Sequence, residues 1–401
     1  MLICFAFVFE SNRWYKHNEV KTITFWHYWS GVEKIPVNNL VKKFNSEKHD
    51  FKVDVLSISM PQKKILTSIV GNVAPDLVHI SGDMATDFAL RNALTEIDLE
   101  DFDLEKFNPN FLEMLKIDGK QWAMPYIGGT EAMYINRDLM DKWNLKSPET
   151  LEDLIKVFDA SLKDQNALAF IPSWPSWFGE FIAGYFGGSW VDEEGRVTAN
   201  SPENIAAWTW IEENFISKIP QEKVLSFTEG FGAYQSPDNP FYSGKVAIEA
   251  SGVWEKKLAA IYAPEMNIEV KPFPGKVKNA TYLSVNALGI PRNAKHKKEA
   301  IYFMKWLLKP ENVEYLALDQ KQFTPYKEHS EEFFQKHENE FIKTFIDLAQ
   351  SPNAQYMPKV KFLTRYKKEI HNAYDKVNRK QKSATEALNE LQSLMEKIAT
   401  Q

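Results

Sequence analysis

Residues 71–98, GNVAPDLVHISGDMATDFALRNALTEID, combine a short apolar strand with the helix that follows it. The segment PDLVHI is almost entirely apolar, as strands are when a parallel sheet is covered on both faces. The segment ATDFALRNAL is typical of a helix, and only SGDM separates it from the strand. A strand that passes so directly into a helix predicts one unit of a parallel α/β sheet.

The chain before this segment alternates between strands and helices in the same way. Leu40, Val41 and Phe44 recur at the three- and four-residue spacing of one helix face. The predicted order is the strand TITFWHY (22–28), the helix VEKIPVNNLVKKFNSEK (32–48), the strand FKVDVLSI (51–58) and the helix PQKKILTSIVGN (61–72). Together with the strand PDLVHI this order is βαβαβ, which predicts a parallel α/β lobe.

The chain after this segment carries further strand patterns. DGKQWAMPY (118–126) and EAMYINRDLM (131–140) are two predicted extended segments on either side of Gly128 and Gly129. Later strands are predicted at GKVAIEASG (244–252), NIEVKPFP (267–274) and TYLSVNALGIP (281–291).

Length and composition limit the classes of protein to consider. The 401 residues exceed one ordinary core and predict two or three domains. The formal net charge of −6 argues against nucleic acid as a partner. Aromatic residues make up 13% of the chain, with 12 Trp, and such side chains suit ligands that are partly apolar and partly polar.

Motifs of catalysis and metal binding are missing from the sequence. It contains no GxSxG, P-loop, HExxH or GxGxxG pattern, and its eight His show no metal-ligand spacing. Neither a cofactor nor a metal is therefore predicted, and an enzyme is not the leading interpretation. A pair of Asp or Glu residues for glycoside cleavage has no sequence motif, so a secreted glycoside-cleaving enzyme stays an alternative.

The first nine residues, MLICFAFVF, form an apolar run that is far too short to span a membrane. We interpret residues 1–19 as the remnant of an export signal, and a disordered apolar tail is the alternative. Cys4 is the single cysteine, so an internal disulfide is excluded, and a lipid anchor at Cys4 is a further alternative. The expected location is the periplasm or the extracellular space, either free or as a membrane-anchored lipoprotein.

Six segments in a fixed order resemble the signature of family 1 extracellular solute-binding proteins of ABC importers, the group that contains maltose-binding protein. They are GNVAPDLVHISGDMATDFALRNALTEID, DGKQWAMPY, MYINRDLMDKWNLKSPETLEDL (133–154), FYSGKVAIEASGVW (241–254), AKHKKEAIYFMKWLLKPENVEYLAL (294–318) and TEALNELQSLMEKI (385–398). The resemblance covers most of the chain after the N-terminal tail. The sequence departs from the family pattern at Asn92 and Asn144, where Gly is usual, and at Leu151, where Trp is usual.

The resemblance implies an α/β, two-lobed periplasmic-binding-protein fold of type II. Each lobe would be a mostly parallel sheet flanked by helices, and a hinge of crossing segments would join the lobes. The N-lobe would hold residues 20–127 and 281–325, and the C-lobe residues 128–280 and 326–401. The ligand cleft would lie between the lobes, where loops follow the carboxyl ends of strands.

The function that the resemblance implies is solute capture for an ABC transporter. The chain would bind a sugar, from a mono- to an oligosaccharide, in the cleft and deliver it to the membrane permease as a monomer. A non-sugar solute such as a polyol phosphate or a peptide is the alternative. A phosphate would require a basic pair near a helix N-terminus, and an amine would require several acids around aromatic walls. The sequence shows neither, because no Arg or Lys stands out in the predicted loops and Asp83 is the one acid evident there.

Aromatic contacts are predicted because a sugar presents C–H faces that stack on rings. By the family pattern these contacts are Tyr28 and Trp29 after the first strand, Trp174 and Trp177 in IPSWPSWFGEF, and Trp254 in SGVW. Packing in the core of either lobe is the alternative for each ring. Trp29, the last aromatic residue before the chain turns, is the expected first-lobe platform.

Sugar hydroxyl groups need polar partners, and the family pattern supplies candidates for them. The predicted contacts are Asp83, Gly129, Thr130, Tyr282, Ser284, Arg365 and Tyr366. Asp83 is suited to accept charge-assisted hydrogen bonds, and capping of the next helix is its alternative. Gly128 and Gly129 are also a predicted hinge. For Arg365 and Tyr366 the alternative is a solvated helix face.

Overall fold

The computed structural model describes residues 20–219, 224, 231 and 234–400. The predicted export remnant, with Cys4, lies outside these residues. The strands are β1 (Lys21–His27), β2 (Phe51–Ser57), β3 (Leu77–Ser81), β4 (Lys116–Ile117), β5 (Lys120–Gln121), β6 (Ala123–Asn136), β7 (Ile248–Gly252), β8 (Ile268–Lys271), β9 (Thr281–Gly289) and β10 (Ala354–Gln355). The helices are α1 (Lys34–Ser46), α2 (Pro61–Val70), α3 (Gly82–Leu90), α4 (Pro109–Met114), α5 (Arg137–Lys142), α6 (Leu151–Ser161), α7 (Phe178–Tyr185), α8 (Pro202–Ile211), α9 (Glu255–Tyr262), α10 (Lys297–Leu307), α11 (Pro310–Gln320), α12 (Glu331–Lys336), α13 (Ile342–Ala349), α14 (Leu363–Asn378) and α15 (Ala384–Ala399).

The main sheet has the strand order β2-β1-β3-β9-β6-β7, with β8 beside β6 and β10 beside β9. β1 runs parallel to both β2 and β3, as predicted for the first lobe. Ile23 and Phe25 of β1 are fully buried and alternate with less buried residues, which is the two-residue period of a strand. The prediction of a mostly parallel sheet in each lobe is wrong for the second lobe, because β6 pairs antiparallel with β7 and β8.

β6 and β9 are long strands that connect the two lobes. β6 is one strand of 14 residues, although the sequence predicts two extended segments around Gly128 and Gly129. Both glycines are buried and pair with β9, opposite Val285 and Ser284, so the strand continues through them. The two strands are antiparallel, so the chain enters the second lobe along β6 and returns along β9.

Two clusters of buried apolar side chains form the cores of the molecule. The first is built on β1, β2 and β3 with α1, α3, α10 and α11. The second is built on α6, α7, α8, α14 and α15. Phe333, Ile342 and Phe345, from α12 and α13, pack in the first cluster, whereas the sequence assigns these helices to the C-lobe. The predicted limits of the two lobes stay a prediction.

Two departures from the family pattern lie at helix ends with the same geometry. Asn92 after α3 and Asn144 after α5 have φ angles of 52° and 57°, in the left-handed region that glycine adopts most easily. The amide of the next residue, Ala93 or Leu145, donates to the carbonyl five residues earlier, at 2.8 and 2.9 Å. These bonds belong to the Schellman motif, in which Asn is the second most suitable residue. The exchange of Gly for Asn therefore preserves the local fold.

Candidate functional site

A cleft between the lobes collects the loops that follow β1 and β3 and aromatic side chains of the second lobe. It contains two adjoining cavities of about 420 and 250 Å³. Ser81 at the end of β3, Ser284 on β9 and Trp254 before α9 line both cavities. The cleft thus lies at the carboxyl ends of parallel strands, where sheet geometry predicts a ligand site.

Trp254 lies between the two cavities, and a hydrogen bond and close packing fix the position of its ring. Its Nε1 donates to the hydroxyl of Tyr234 at 3.0 Å, and that hydroxyl donates in turn to Glu255. The indole ring lies directly against the backbone of Gly252, because a Cβ at that position would overlap the ring. Burial raises the pKa of Glu255, although hydrogen bonds from Tyr234, Tyr242 and the hydroxyl of Ser251 oppose the increase. The ring is therefore positioned before any ligand arrives.

The larger cavity is lined by Tyr28 and Trp29 on its first-lobe side. The Trp29 side chain is largely in the core, with only 5% of its surface exposed, and packs edge-on against His79 at 4.4 Å between ring centroids. Tyr28 stacks on the same histidine at 5.0 Å between ring centroids and donates a hydrogen bond from its hydroxyl to Asn286. Both predicted residues line the cavity, but Trp29 contributes little exposed surface to it.

Asp83 lies at the smaller cavity in the first turn of α3. The cap of this helix is Ser81, whose hydroxyl accepts from the amide of Met84, so Asp83 does not serve as the cap. Its Oδ2 accepts from Nζ of Lys367 on α14 at 2.9 Å. This ion pair joins the two lobes across the cleft. Burial lowers the pKa of Lys367, but Asp83 and Glu180 outweigh that effect and leave it above its usual value.

The second-lobe wall of the smaller cavity is aromatic. Trp177 lines it and packs edge-on against Tyr234 at 4.8 Å. Tyr282, on β9, stacks on Phe181 of α7 at 4.4 Å. The Nε1 atom of Trp177 is buried and has no hydrogen-bond partner among the described residues. The wall therefore presents aromatic side chains to a ligand in this cavity.

Three predicted contacts before α7 line neither cavity. Thr130 is fully buried and donates to the carbonyl of Phe345 at 3.0 Å. It points away because side chains alternate along a strand, so its neighbour Glu131 faces the cavity instead. Trp174 donates to Glu249 at 3.3 Å and packs within the second lobe. Gly129 also lines neither cavity, but it lies against two residues that do, because a Cβ there would overlap Ser284 and lie 3.6 Å from the Trp254 ring.

The two predicted contacts on α14 also line neither cavity. Tyr366 is fully buried and donates to the carbonyl of Trp190 at 2.8 Å. Arg365 is half exposed and pairs with Glu369 at 2.7 Å. Each step along a helix turns the side chain by about 100°. Lys367, the residue after Tyr366, therefore faces the cleft.

Glu131, Asn286 and Lys367 are among the cleft residues that were not predicted. Asn286 could have been found, since it shares one face of β9 with Tyr282 and Ser284 at the two-residue period. Burial raises the pKa of Glu131 well above its usual value, and the carboxylate of Glu180 raises it further, while Lys367 opposes both. The sequence carries no signal for Glu131, because its role depends on residues that are distant along the chain.

Within the described part of the chain, no group of three or more His, Cys, Asp or Glu side chains is arranged to hold a metal ion. Across the same residues, no helix is both long and apolar enough to cross a bilayer.

Similarity to other proteins covers most of the chain. Residues 31–314 match the family described as bacterial extracellular solute-binding protein. The maltotriose-binding protein of Pyrococcus abyssi is 24% identical over 311 residues, which are 74% of this chain and 65% of that protein. The match thus spans just under two thirds of this relative's length.

Solved structures superpose on nearly the whole chain. The protein CpMnBP1 with mannobiose bound has a TM-score of 0.81 at 23% identity, over 94% of this chain and 99% of that one. An ABC substrate-binding protein from Listeria monocytogenes in complex with cycloalternan has a TM-score of 0.78 at 21% identity, again over 94% and 99%. These structures share the two-lobed α/β fold that the sequence predicts, and the family match covers well over half of the chain. The chain belongs to the family of bacterial extracellular solute-binding proteins.

Proposed function

We propose that the chain binds a sugar in the cleft between its lobes. The observation that carries this proposal is the pairing of aromatic faces with polar groups in one cleft. Trp254, Trp177 and Tyr282 offer rings, while Asp83 and Ser81 offer hydrogen-bond acceptors and a hydroxyl. A sugar ring needs both kinds of partner, since its C–H faces stack and its hydroxyl groups hydrogen-bond.

The size of the cleft supports a disaccharide or longer oligosaccharide. The two cavities meet at Trp254. The larger one falls in the range of small-molecule sites, about 300–1,000 Å³, and the smaller one extends it. The similar proteins carry names that mention maltotriose, mannobiose and cycloalternan. An oligosaccharide that lays one unit on each side of the Trp254 ring would fill both cavities.

The proposed role is delivery of this sugar to an ABC permease. The family description names extracellular proteins, and the family binds solutes rather than converting them. We propose that the chain acts as a monomer in the periplasm or outside the cell, either free or held by a lipid at Cys4. The residues that would carry this anchor lie outside the described part of the chain.

Calorimetry and thermal-shift measurements with a panel of mono- and oligosaccharides test the proposal. We expect saturable binding of at least one sugar and its loss in Trp254→Ala, with the unfolding temperature of the free protein close to that of the wild type. Binding of a polyol phosphate or a peptide, with no sugar bound, would contradict the sugar assignment and leave solute capture intact. Release of a cleaved product from a glycoside, lost in Asp83→Asn, would instead establish an enzyme.

A further inference from the structure

Carboxyl groups outnumber basic groups at the smaller cavity. Asp83 and Glu131 line it, and Glu180 lies directly behind Lys367. Lys367 lies 2.9 Å from Asp83 and 3.6 Å from Glu180, so its one charge is shared between two carboxylates. His371, 3.3 Å from Glu180, adds positive charge only when it is protonated.

Glu131 differs from Asp83 and Glu180 in having no ion pair among the described residues. Only 4% of its surface is exposed, and its Oε2 atom has no hydrogen-bond partner among the described residues. Its backbone is fixed on β6 by Thr281, whose hydroxyl donates to the Glu131 carbonyl at 2.8 Å. A buried carboxylate without donors is costly, so a ligand that supplied donors and positive charge would relieve this cost.

The aromatic wall of the same cavity suits a cation as well as a sugar ring. Trp177, Phe181, Tyr282 and Trp254 all line it. A cation above an aromatic face is attracted by the ring quadrupole, and the attraction is greater where water is excluded. The combination of several acids and aromatic walls is the one that an amine requires.

We infer that this cavity takes the amino-bearing ring of a sugar, with the protonated amine directed at Glu131, so that an amino sugar binds more tightly than its neutral counterpart. The inference rests on the proposed sugar-binding function and specifies its ligand class. A protonated amine offers three N–H donors and a charge, whereas a hydroxyl offers one donor and no charge. Hydrogen bonds between ionised partners are roughly twice as strong as neutral ones. Burial and Glu180 both raise the pKa of Glu131 and so favour its neutral form, whereas a protonated amine beside the carboxyl group would favour the ionised form.

Matched sets of ligands test this inference on the wild-type protein. Each set contains a 2-amino sugar, its neutral parent and its N-acetyl derivative, in the gluco, manno and galacto configurations and as monomers and disaccharides. Calorimetry near neutral pH gives the affinity of each member. For every configuration that binds, we expect the amino member to bind at least about tenfold more tightly than both neutral members. Equal affinities, or tighter binding of the neutral members, would overturn the inference while leaving the proposed function intact.

Two variants locate the effect. Glu131→Gln keeps the shape of the side chain and removes its charge, so the preference for the amino member should fall to less than about threefold. Asp87→Asn is the matched control, since Asp87 is a buried acid of the first lobe that bonds Arg91 and lines neither cavity, and it should keep the full preference. An unchanged preference in Glu131→Gln would show that Glu131 is not its source. If no sugar of any set binds, the proposed function fails as well, so the two failures are distinguishable.

Discussion

At the residue scale, the position of the Trp254 ring depends on the absence of a side chain at Gly252. A Cβ on Gly252 would overlap the indole ring, so Gly252→Ala should push the ring out of its place between the two cavities. We expect sugar affinity to fall by about tenfold or more, with little change in the circular dichroism of the free protein. Gly71→Ala is the control, because its added Cβ would lie at an exposed helix end, 3.3 Å from the Thr67 carbonyl. Undiminished affinity in Gly252→Ala would show that the ring position does not matter.

A second prediction separates the two tryptophans that the sequence treats alike. Trp29 is 5% exposed and packs on His79, whereas Trp254 is only partly buried. Trp29→Ala should therefore lower the free energy of unfolding by about 3 kcal/mol, which is the usual cost of deleting a buried Trp. The corresponding loss in Trp254→Ala should be clearly smaller, while sugar binding is abolished. Urea unfolding measures both stabilities, and similar losses in the two variants would contradict this assignment.

At the element scale, the strands and helices are largely predictable, while the direction of each side chain is less so. The sequence predicts β1, β3 and β9, because apolar runs and alternation are local signals. It places the cleft contact at Thr130 instead of Glu131, and at Tyr366 instead of Lys367. A one-residue error turns the side chain to the opposite face of a strand, or by about 100° on a helix. Which face is buried depends on distant partners such as Phe345, and these are not visible in a local segment.

The helix end at Asn144 allows a test of the departures from the family pattern. Asn144 has a φ of 57°, and a left-handed conformation costs an ordinary L-residue about 1–2 kcal/mol. We expect Asn144→Ala to lower the free energy of unfolding by about 1 kcal/mol. Asn144→Gly, the usual family residue, should change it by less than about 0.5 kcal/mol. Chemical denaturation of the two variants gives both values, and equal destabilisation would mean that backbone conformation is not the cause.

At the scale of the whole molecule, the lobes are joined by more than β6 and β9. Lys367 reaches Asp83 across the cleft, and Lys359 donates to the carbonyl of Glu113 at 2.6 Å and to its carboxylate at 3.0 Å. On the other side of the cleft, Lys257 of α9 reaches Gln320 of α11 at 3.0 Å. The sequence offers no signal for these contacts, because each joins residues far apart along the chain. Two lobes that close on a ligand require such weak, separable contacts rather than one continuous core.

The stability of the molecule should depend on pH through two buried histidines at the end of β1 and in β3. Burial lowers the pKa of His27 to about 4, and burial together with His27 lowers that of His79 to about 3. In the unfolded chain both histidines have a pKa near 6.5. At a pH between about 6.5 and the folded-state pKa values, the unfolded chain therefore binds more protons than the folded chain. Their contribution to stability is complete above about pH 6.5 and is lost as the pH falls toward the folded-state values.

The buried acids act in the opposite direction, so the histidine effect must be isolated by difference. Glu131 and Glu249 have raised pKa values, mainly because of burial, and they favour the folded state as the pH falls. These acids are the same in the wild type and in His27→Gln, so they cancel when the two are compared. We expect His27→Gln to be less stable than the wild type at pH 7.5. The difference between their free energies of unfolding should narrow by about 2 kcal/mol by pH 5. Urea unfolding at both pH values measures this difference. A difference that stays constant would show that the pKa of His27 is not lowered in the folded protein.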